Sequence, residues 1–348
     1  MLKFFNTERF ESDFFTIAEI GQNHQGDFDT ALQYVEKYAS LGASAVKFQT
    51  RNNRYLFDKE SYEKEYNSEN AFGYTYGEHR EFLELSHQEL RRIRGTCSEL
   101  GVLFMSTPFD EPSLDFLCEI DVDIMKVASF DLGNIPFLER LVSKKKPLVL
   151  SCGGGQEHHI EASVEFLTSQ DADFCVLHCV SKYPCPAEEL GLQQITRLSQ
   201  KYPDTVIGLS DHFSSIVSGP VGYMLGARVF EKHVTFDRSL KGTDHSFALG
   251  PRGFENFVRD ISNAQKMNSL PTSNGLGEEP VFKKLGKSLA AFCDISAGEV
   301  LNNCKLRGKI FAEPGIPVRE STRVLGKRLK RDLSEGEAIR WEDLIEDI

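Results

Sequence analysis

The chain reads as an α/β protein, a closed (β/α)8 barrel followed by a small β-rich module, and three observations say so. From residue 16 onward short apolar runs alternate with longer amphipathic segments, and the alternation repeats eight times. After a stretch rich in Ser, Asn, Gly, Pro and Glu at 269–279, the rhythm changes to short runs punctuated by Gly298, Gly308, Gly315, Gly326 and Gly336.

Taken in order, the strand candidates are Thr16–Ile20, Ala45–Phe48, Leu103–Ser106, Ile124–Val127, Leu148–Leu150, Phe174–His178, Val206–Leu209 and Arg228–Lys232. Between them the segments Thr30–Ser40, Gln88–Leu100, Pro136–Ser143, Glu157–Ser169 and Leu192–Lys201 carry apolar residues at three-and-four spacing, the signature of helices with one buried face. Eight such units favour a closed TIM-type barrel over a doubly wound open sheet, which usually has fewer strands and often a glycine-rich phosphate fingerprint after the first one. Arg51–Ser86 breaks the rhythm. It is long, polar and aromatic, with Tyr55, Tyr62, Tyr66, Tyr74 and Tyr76, and is expected to pass over the barrel mouth as a lid. These readings divide the chain into a barrel at 1–268, a linker at 269–281 and a small domain at 282–348, whose limited core should lean on the barrel or on a second subunit.

Composition narrows the function. Hydrophobic residues at 40% and charged ones at 26% are ordinary for a folded globular protein, which argues against disorder. A net charge of -12 repels a phosphate backbone and an anionic membrane surface, so no nucleic-acid or membrane partner is expected, and an anionic substrate would need a local cluster of lysines. No signal-peptide core and no long uncharged apolar run occurs, which points to a cytoplasmic enzyme. The eight cysteines contain no CxxC pair and read as reduced and structural, with Cys152 and Cys179 placed where they could line a pocket.

In such a barrel the reactive groups stand where strands end. The polar residues there are Glu19, Asn23 and His24; Lys47 and Gln49; Ser106 and Thr107; Lys126 and Ser129; Ser151; His178 and Ser181; Ser210, Asp211 and His212; and Glu231 and His233. Two lysines, Lys47 and Lys126, among Thr107, Ser129, Ser151 and Ser210 make an anion cradle, because an ammonium supplies charge and hydroxyls supply neutral donors. His212 and His233 follow neighbouring strands and can converge on one point; two imidazoles completed by oxygen ligands suit Mn, Fe, Co or Zn. Asp211, Glu231, Asp244 and His245 lie close enough in sequence to orient them. His158 and His159 start a helix and face solvent. A metal hydrolase on the same barrel commonly shows HxH after the first strand, where this chain has Asn23-His24.

The runs IAEIGQNHQGDFDTA, GASAVKFQT, MSTPFD, KVASFDLGN, SCGG, HCVSKYPCP, GLSDH and EKHVTFDRSLKGTDHSF resemble, in order, the signature segments of the sialic acid (nonulosonate) synthase family. The tail, with SLAAFCDISAGEVL, PGIPV and VLGKRLKRDLSEGEAI, resembles that family's antifreeze-like (SAF) domain, and nearly the whole chain is covered. The resemblance implies condensation of phosphoenolpyruvate with an N-acetylated amino-sugar aldehyde such as N-acetylmannosamine, with loss of inorganic phosphate. It implies that Lys47, Gln49, Thr107, Lys126, Ser129, Ser151 and Ser210 hold phosphoenolpyruvate. His212 and His233 would bind a divalent metal, manganese (Mn) first, with Mg or Co as other choices. Tyr183 and Asp244 would contact substrate, and Glu19 would transfer a proton or activate water. The family often has asparagine where this chain has Ser181. It also places a C-terminal arginine in the partner subunit's site within a domain-swapped homodimer, for which Arg307 and Arg319 are the candidates here. A lid holding Arg51, Arg54, His79 and Arg80 leaves open a phosphorylated sugar, and a legionaminate or pseudaminate precursor is a further alternative; a non-enzymatic carbohydrate- or ice-binding protein would not need two lysines and two histidines aimed into one cavity.

Overall fold

Eight short, largely apolar runs form the staves of a parallel barrel in the computed structural model, which describes residues 3–269 and 279–345. The strands are β1 (Phe15–Gly21), β2 (Ala45–Thr50), β3 (Leu103–Pro108), β4 (Ile124–Val127), β5 (Leu148–Ser151), β6 (Phe174–Cys179), β7 (Val206–Asp211) and β8 (Val229–His233). They pair in sequence order, and β1 closes the ring against β8. Each is followed by one principal helix: α1 (Phe28–Ser40), α2 (His87–Leu100), α3 (Glu111–Glu119), α4 (Ile135–Ser143), α5 (Glu157–Ser169), α6 (Gln193–Lys201), α7 (Ser218–Met224) and α8 (Pro251–Asn268). The sequence boundaries of the strands agree within one or two residues.

Local chemistry sets where the helices begin. Asp27 and Asp110 accept hydrogen bonds from Thr30 N and Ser113 N at the starts of α1 and α3. Ser86 and Glu89 form a reciprocal capping box on α2. Proline occupies the first turn of α3, α4 and α8, where its missing N–H costs nothing. On α2 the buried face is Leu90, Ile93 and Cys97, at three-and-four spacing.

Alternation along the strands creates two cores. Side chains pointing outward, among them Ala18, Val46, Phe104, Met125, Leu150, Val176, Leu209 and Phe230, pack under the helices. Those pointing inward at the N-terminal end, including Ile17, Ala45, Met105, Ile124, Val149, Leu177, Val206 and Val229, fill the barrel floor. Phe5 and Phe10, from the segment before β1, complete that floor, and Asp173 accepts hydrogen bonds from Phe4 N and Phe5 N to hold it there. Within this layer Gly208 has no room for a side chain, since a Cβ would stand 2.2 Å from Val229 O.

Backbone contacts divide the chain into two units, Met1–Ser269 and Leu270–Ile348. Most of the expected 269–281 linker falls outside the described residues, and a short helix begins at Pro280. The second unit carries an antiparallel pair, β9 (Ser288–Ala291) with β10 (Leu306–Lys309), further isolated bridges, and a small apolar core that includes Leu289, Ile295, Leu301, Ile316, Leu329 and Leu333. No helix among the described residues is long and apolar enough to cross a membrane.

Candidate active site

One step above the floor the inward-pointing residues turn polar. The register sets Glu19 beside Lys47 on one side and beside His233 on the other, Gln49 beside Thr107, and Ser210 beside Glu231. With Lys126 and Ser151 from β4 and β5, they line a cavity of about 960 Å³ at the C-terminal mouth. Residues just past the strand ends add Ser129, Tyr183, His212 and Asp244. Twelve of the expected site residues therefore meet in one place.

The cavity walls hold buried charges in defined pairs. Lys47 Nζ lies 2.8 Å from Glu19 Oε2 and 3.7 Å from Glu231 Oε2, and donates to Thr107 Oγ1 at 3.3 Å. Gln49 Nε2 donates to Glu19 Oε1 at 2.8 Å, and Ser210 Oγ to Glu231 Oε1 at 3.1 Å. Burial pushes the Glu19 carboxyl up, and with the Glu231 charge it outweighs Lys47, to about 6. Burial acts the same way on Glu231, but Lys126, Lys47 and the two imidazoles together overcome it and hold that carboxyl down. Lys126 has no ion pair among the described residues; its ammonium donates to Val127 O at 3.3 Å, and burial lowers its pKa. A buried ammonium with no direct ion-pair contact among the described residues, in a cavity lined by hydroxyls, is a seat for an anion. Ser151 Oγ is buried there without a hydrogen-bond partner, a donor waiting for one.

His212 and His233 have ring centroids 5.4 Å apart, with the Tyr183 ring 4.1 Å from the first. His212 Nδ1 donates to Val180 O at 2.8 Å, which fixes the proton on that nitrogen and leaves Nε2 with its lone pair in the neutral ring. His233 Nδ1 is buried without a hydrogen-bond partner, and the nearest carboxylate oxygen, Asp244 Oδ2, is 3.6 Å away. Among the described residues no three His, Cys, Asp or Glu side chains enclose a metal by themselves. The two imidazoles suit a divalent ion whose other positions are completed by water or substrate oxygens.

Several strand-end candidates point elsewhere. Ser106 bonds to Thr50 Oγ1 and His178 Nε2 to Leu190 O, both on the helix side of the wall. Asp211 does not orient His212. It faces outward, 2.5 Å from Lys232 Nζ, in a pair with no solvent exposure, and also receives Ser218 Oγ. Each partner precedes a histidine by one residue, so the pair fixes the backbone from which both imidazoles project. His24 packs on Phe48, Asn23 donates to Val234 O, and His245 bonds to Thr235 Oγ1, all outside the cavity lining. Ser181 lies against Gly153, where a Cβ would stand 2.4 Å from its hydroxyl, and is not part of the lining. Arg307 is on β10 in the second unit, 3.5 Å from Glu335. Gln22 and Asn70, which the sequence did not single out, complete the cavity together with Glu231, expected at a strand end, and Cys179, expected to be able to line a pocket.

A mouth of this kind, with buried lysines, hydroxyls and a paired carboxylate at the strand ends of a closed barrel, defines an enzyme that handles a small anionic substrate. Comparison with known proteins makes the class specific. Residues 34–271 match the NeuB family and residues 286–345 the SAF domain, and the chain belongs to the NeuB family. It is 34% identical over 333 residues to the N-acetylneuraminate-9-phosphate synthase of Homo sapiens, covering 95% of this chain and 92% of that one. It is 32% identical over 342 residues to the N,N'-diacetyllegionaminic acid synthase of Legionella pneumophila, covering 95% and 94%. Among solved structures, the N-acetylneuraminic acid synthetase of Leptospira borgpetersenii superposes with a TM-score of 0.68 at 30% identity, covering 78% of this chain and 92% of that one. The fold and the enzymatic class expected from sequence both stand.

Proposed function

We propose that the protein condenses phosphoenolpyruvate with an N-acetylated amino-sugar aldehyde, N-acetylmannosamine or a relative, and water, to give a sialic-acid-type nonulosonate and inorganic phosphate. The observation that carries the reading is the Lys126 ammonium, without a direct ion pair among the described residues, in one cavity with the unpartnered Ser151 hydroxyl and the Glu19–Lys47 pair, one layer above a closed apolar floor. Lys126, Thr107, Ser129 and Ser151 hold the carboxylate and phosphate of phosphoenolpyruvate, and Lys47 stabilises charge between the two substrates. A divalent cation, manganese first with Mg or Co as other choices, would be held by His212 and His233 and would supply Lewis acidity at the aldehyde oxygen. The C=C pair of phosphoenolpyruvate forms the new C–C bond to the aldehyde carbon, the aldehyde C=O pair moves onto oxygen, which takes up a proton to become a hydroxyl, and C2 is left cationic. Glu19, oriented by Gln49, takes a proton from the water that adds to C2, and the resulting tetrahedral centre expels phosphate by C–O cleavage. Tyr183 and Asp244 border the sugar side of the cavity. The reading includes a cytoplasmic homodimer in which Arg307 or Arg319 serves the partner's cavity, as the family resemblance implies.

The test is turnover of purified protein with phosphoenolpyruvate and a panel of amino sugars, following phosphate and the nine-carbon product by mass spectrometry, before and after chelation and manganese add-back. Sugar-dependent phosphate release that chelation removes, and that His212→Ala abolishes, is the expected result. Phosphate release indifferent to chelator and to His212→Ala would remove the metal assignment, and no release with any sugar would remove the reaction.

A further inference from the structure

The donors that surround Glu19 form a chain whose far end lies on the lid. Glu19 Oε1 accepts from Gln49 Nε2 at 2.8 Å, and Glu19 Oε2 lies 2.8 Å from the Lys47 ammonium. The carboxylate meets donors at both oxygens only while the Gln49 amide keeps its nitrogen turned toward it. The flipped amide has nearly the same shape but sets a carbonyl oxygen against Glu19 Oε1. Shape therefore does not choose between the two orientations; the groups around the amide oxygen do.

That oxygen meets two donors. Arg51 Nη2 donates to Gln49 Oε1, and because a guanidinium carries N–H donors and no acceptor, only the amide oxygen can face it. Gln22 Nε2 donates to the same oxygen at 3.1 Å, and Gln22 is itself polarised, since its Oε1 accepts from Arg80 Nη1 at 2.8 Å. Of the two, Arg51 is the charge-assisted contact. Its own place is fixed three times over: the guanidinium lies 3.9 Å over the Phe109 ring, Nη1 donates to Glu84 Oε1 at 3.1 Å, and the backbone N donates to Glu84 Oε2 at 3.3 Å. Arg51 opens the lid segment and Glu84 stands near its end, so this buried pair also draws the two ends of the lid together. Arg51 borders the cavity, but Glu84 answers its charge, which leaves the bond to Gln49 as its link to the chemistry. Gly21, with φ +56°, makes room for the arrangement: a Cβ there would stand 3.1 Å from Glu19 Oε1 and 3.3 Å from Gln49 Nε2.

We infer that Arg51 is a positioning residue: an obligate donor, it sets the polarity of the Gln49 amide and through it holds the Glu19 carboxylate as the acceptor for the water that adds to C2. The inference rests on the part given to Glu19 in the synthase reading above. Loss of one charge-assisted hydrogen bond of this kind corresponds to about tenfold to hundredfold in the quantity that depends on it.

The experiment is a double-mutant cycle on steady-state rates in the full-length protein, with phosphoenolpyruvate and the amino sugar varied separately. Arg51→Met is made together with Glu84→Gln, so that no buried carboxylate is left without its cation, and the change is introduced into the native protein and into Gln49→Leu. In the native background kcat should fall by about tenfold to hundredfold while both KM values stay within about twofold. In Gln49→Leu, where no amide is left to orient, the same change should cost less than about twofold more. Arg51→Lys, which keeps a donor-only cation on a shorter reach, should give a kcat between the native and methionine values, and it passes through the same cycle if the methionine variant does not fold. Equal losses in the two backgrounds would show that Arg51 acts on the fold or on substrate by itself and would overturn the positioning role, as would a native kcat without Arg51. A raised KM for either substrate at unchanged kcat would assign Arg51 to binding and overturn it as well. In each of these outcomes the native protein turns over and the synthase reading stands. No turnover by the native protein with any amino sugar would remove that reading and the positioning role together.

Discussion

Val229 and Glu231 are two residues apart on one strand and point into the same barrel, yet they belong to regions with opposite chemistry. The floor layer, Ile17, Met105, Ile124, Val149 and Val229 among others, is dry and closed from below by Phe5 and Phe10. The mouth layer, Glu19, Lys47, Lys126, Ser151 and Glu231, is equally buried but carries paired charges, an unpaired ammonium and a hydroxyl without a partner. The difference teaches that burial has two uses here. Below, it stabilises the fold through apolar area; above, it strips water from groups whose partner is meant to be a substrate.

Three experiments would break or sharpen this comparison, and the largest effect is expected at the mouth. Glu19→Gln should lower turnover by about 10²–10⁴ and should remove an acidic limb from the rate profile. With the Glu19 pKa raised to about 6, under the combined influence of burial, Lys47, Glu231 and Gln49, the native protein should lose its basic carboxylate, and hence activity, as pH falls through about 6. A flat profile between pH 5 and 7 would show that Glu19 is not the base. One layer down, Ile124→Ala should cost about 2–5 kcal/mol in unfolding free energy by leaving a cavity in the floor, while the folded fraction keeps a near-native KM for phosphoenolpyruvate. Denaturant titration alongside kinetics checks it, and a loss confined to KM would show that the layers are not separate. The smallest effect has the opposite sign: Lys126→Met removes a buried ammonium that has no direct ion pair among the described residues and should raise stability by about 1 kcal/mol while weakening phosphoenolpyruvate binding. A fall in melting temperature would show the ammonium to be structurally compensated.

How much of this could be read from sequence depends on the element. The strands were legible because short apolar runs recur between longer segments, and the helices because their apolar residues recur at three-and-four spacing. Lys47, Lys126, Ser151 and His233 were legible for the same reason, since strand ends at a barrel mouth are privileged positions. What an apolar run could not say is which member of an adjacent polar pair at its end faces inward. In the run Glu231-Lys232-His233, and again in Ser210-Asp211-His212, only the closed register decides that Lys232 and Asp211 turn outward to each other while their neighbours meet substrate. That is why Asp211 and Glu231 were given the same part beside an imidazole, although only Glu231 faces the cavity. Gln22 and Asn70 come from loop and lid positions, where no periodicity fixes direction, and were found only through their hydrogen bonds, which also place Arg80, expected on the lid, beside Gln22.

The seam between β1 and β8 has a further consequence, in time. Arg228 Nε donates to Phe10 O across 218 positions of sequence, and Phe15 N donates to Arg228 O beside it. On the ribosome one edge of the first strand can pair with β2 early, but the other must wait for β8 until nearly the whole barrel has been made. Closure is a long-range event of the kind that folds slowly, and the interval before it is when the nascent chain is most exposed to aggregation and in most need of a chaperone.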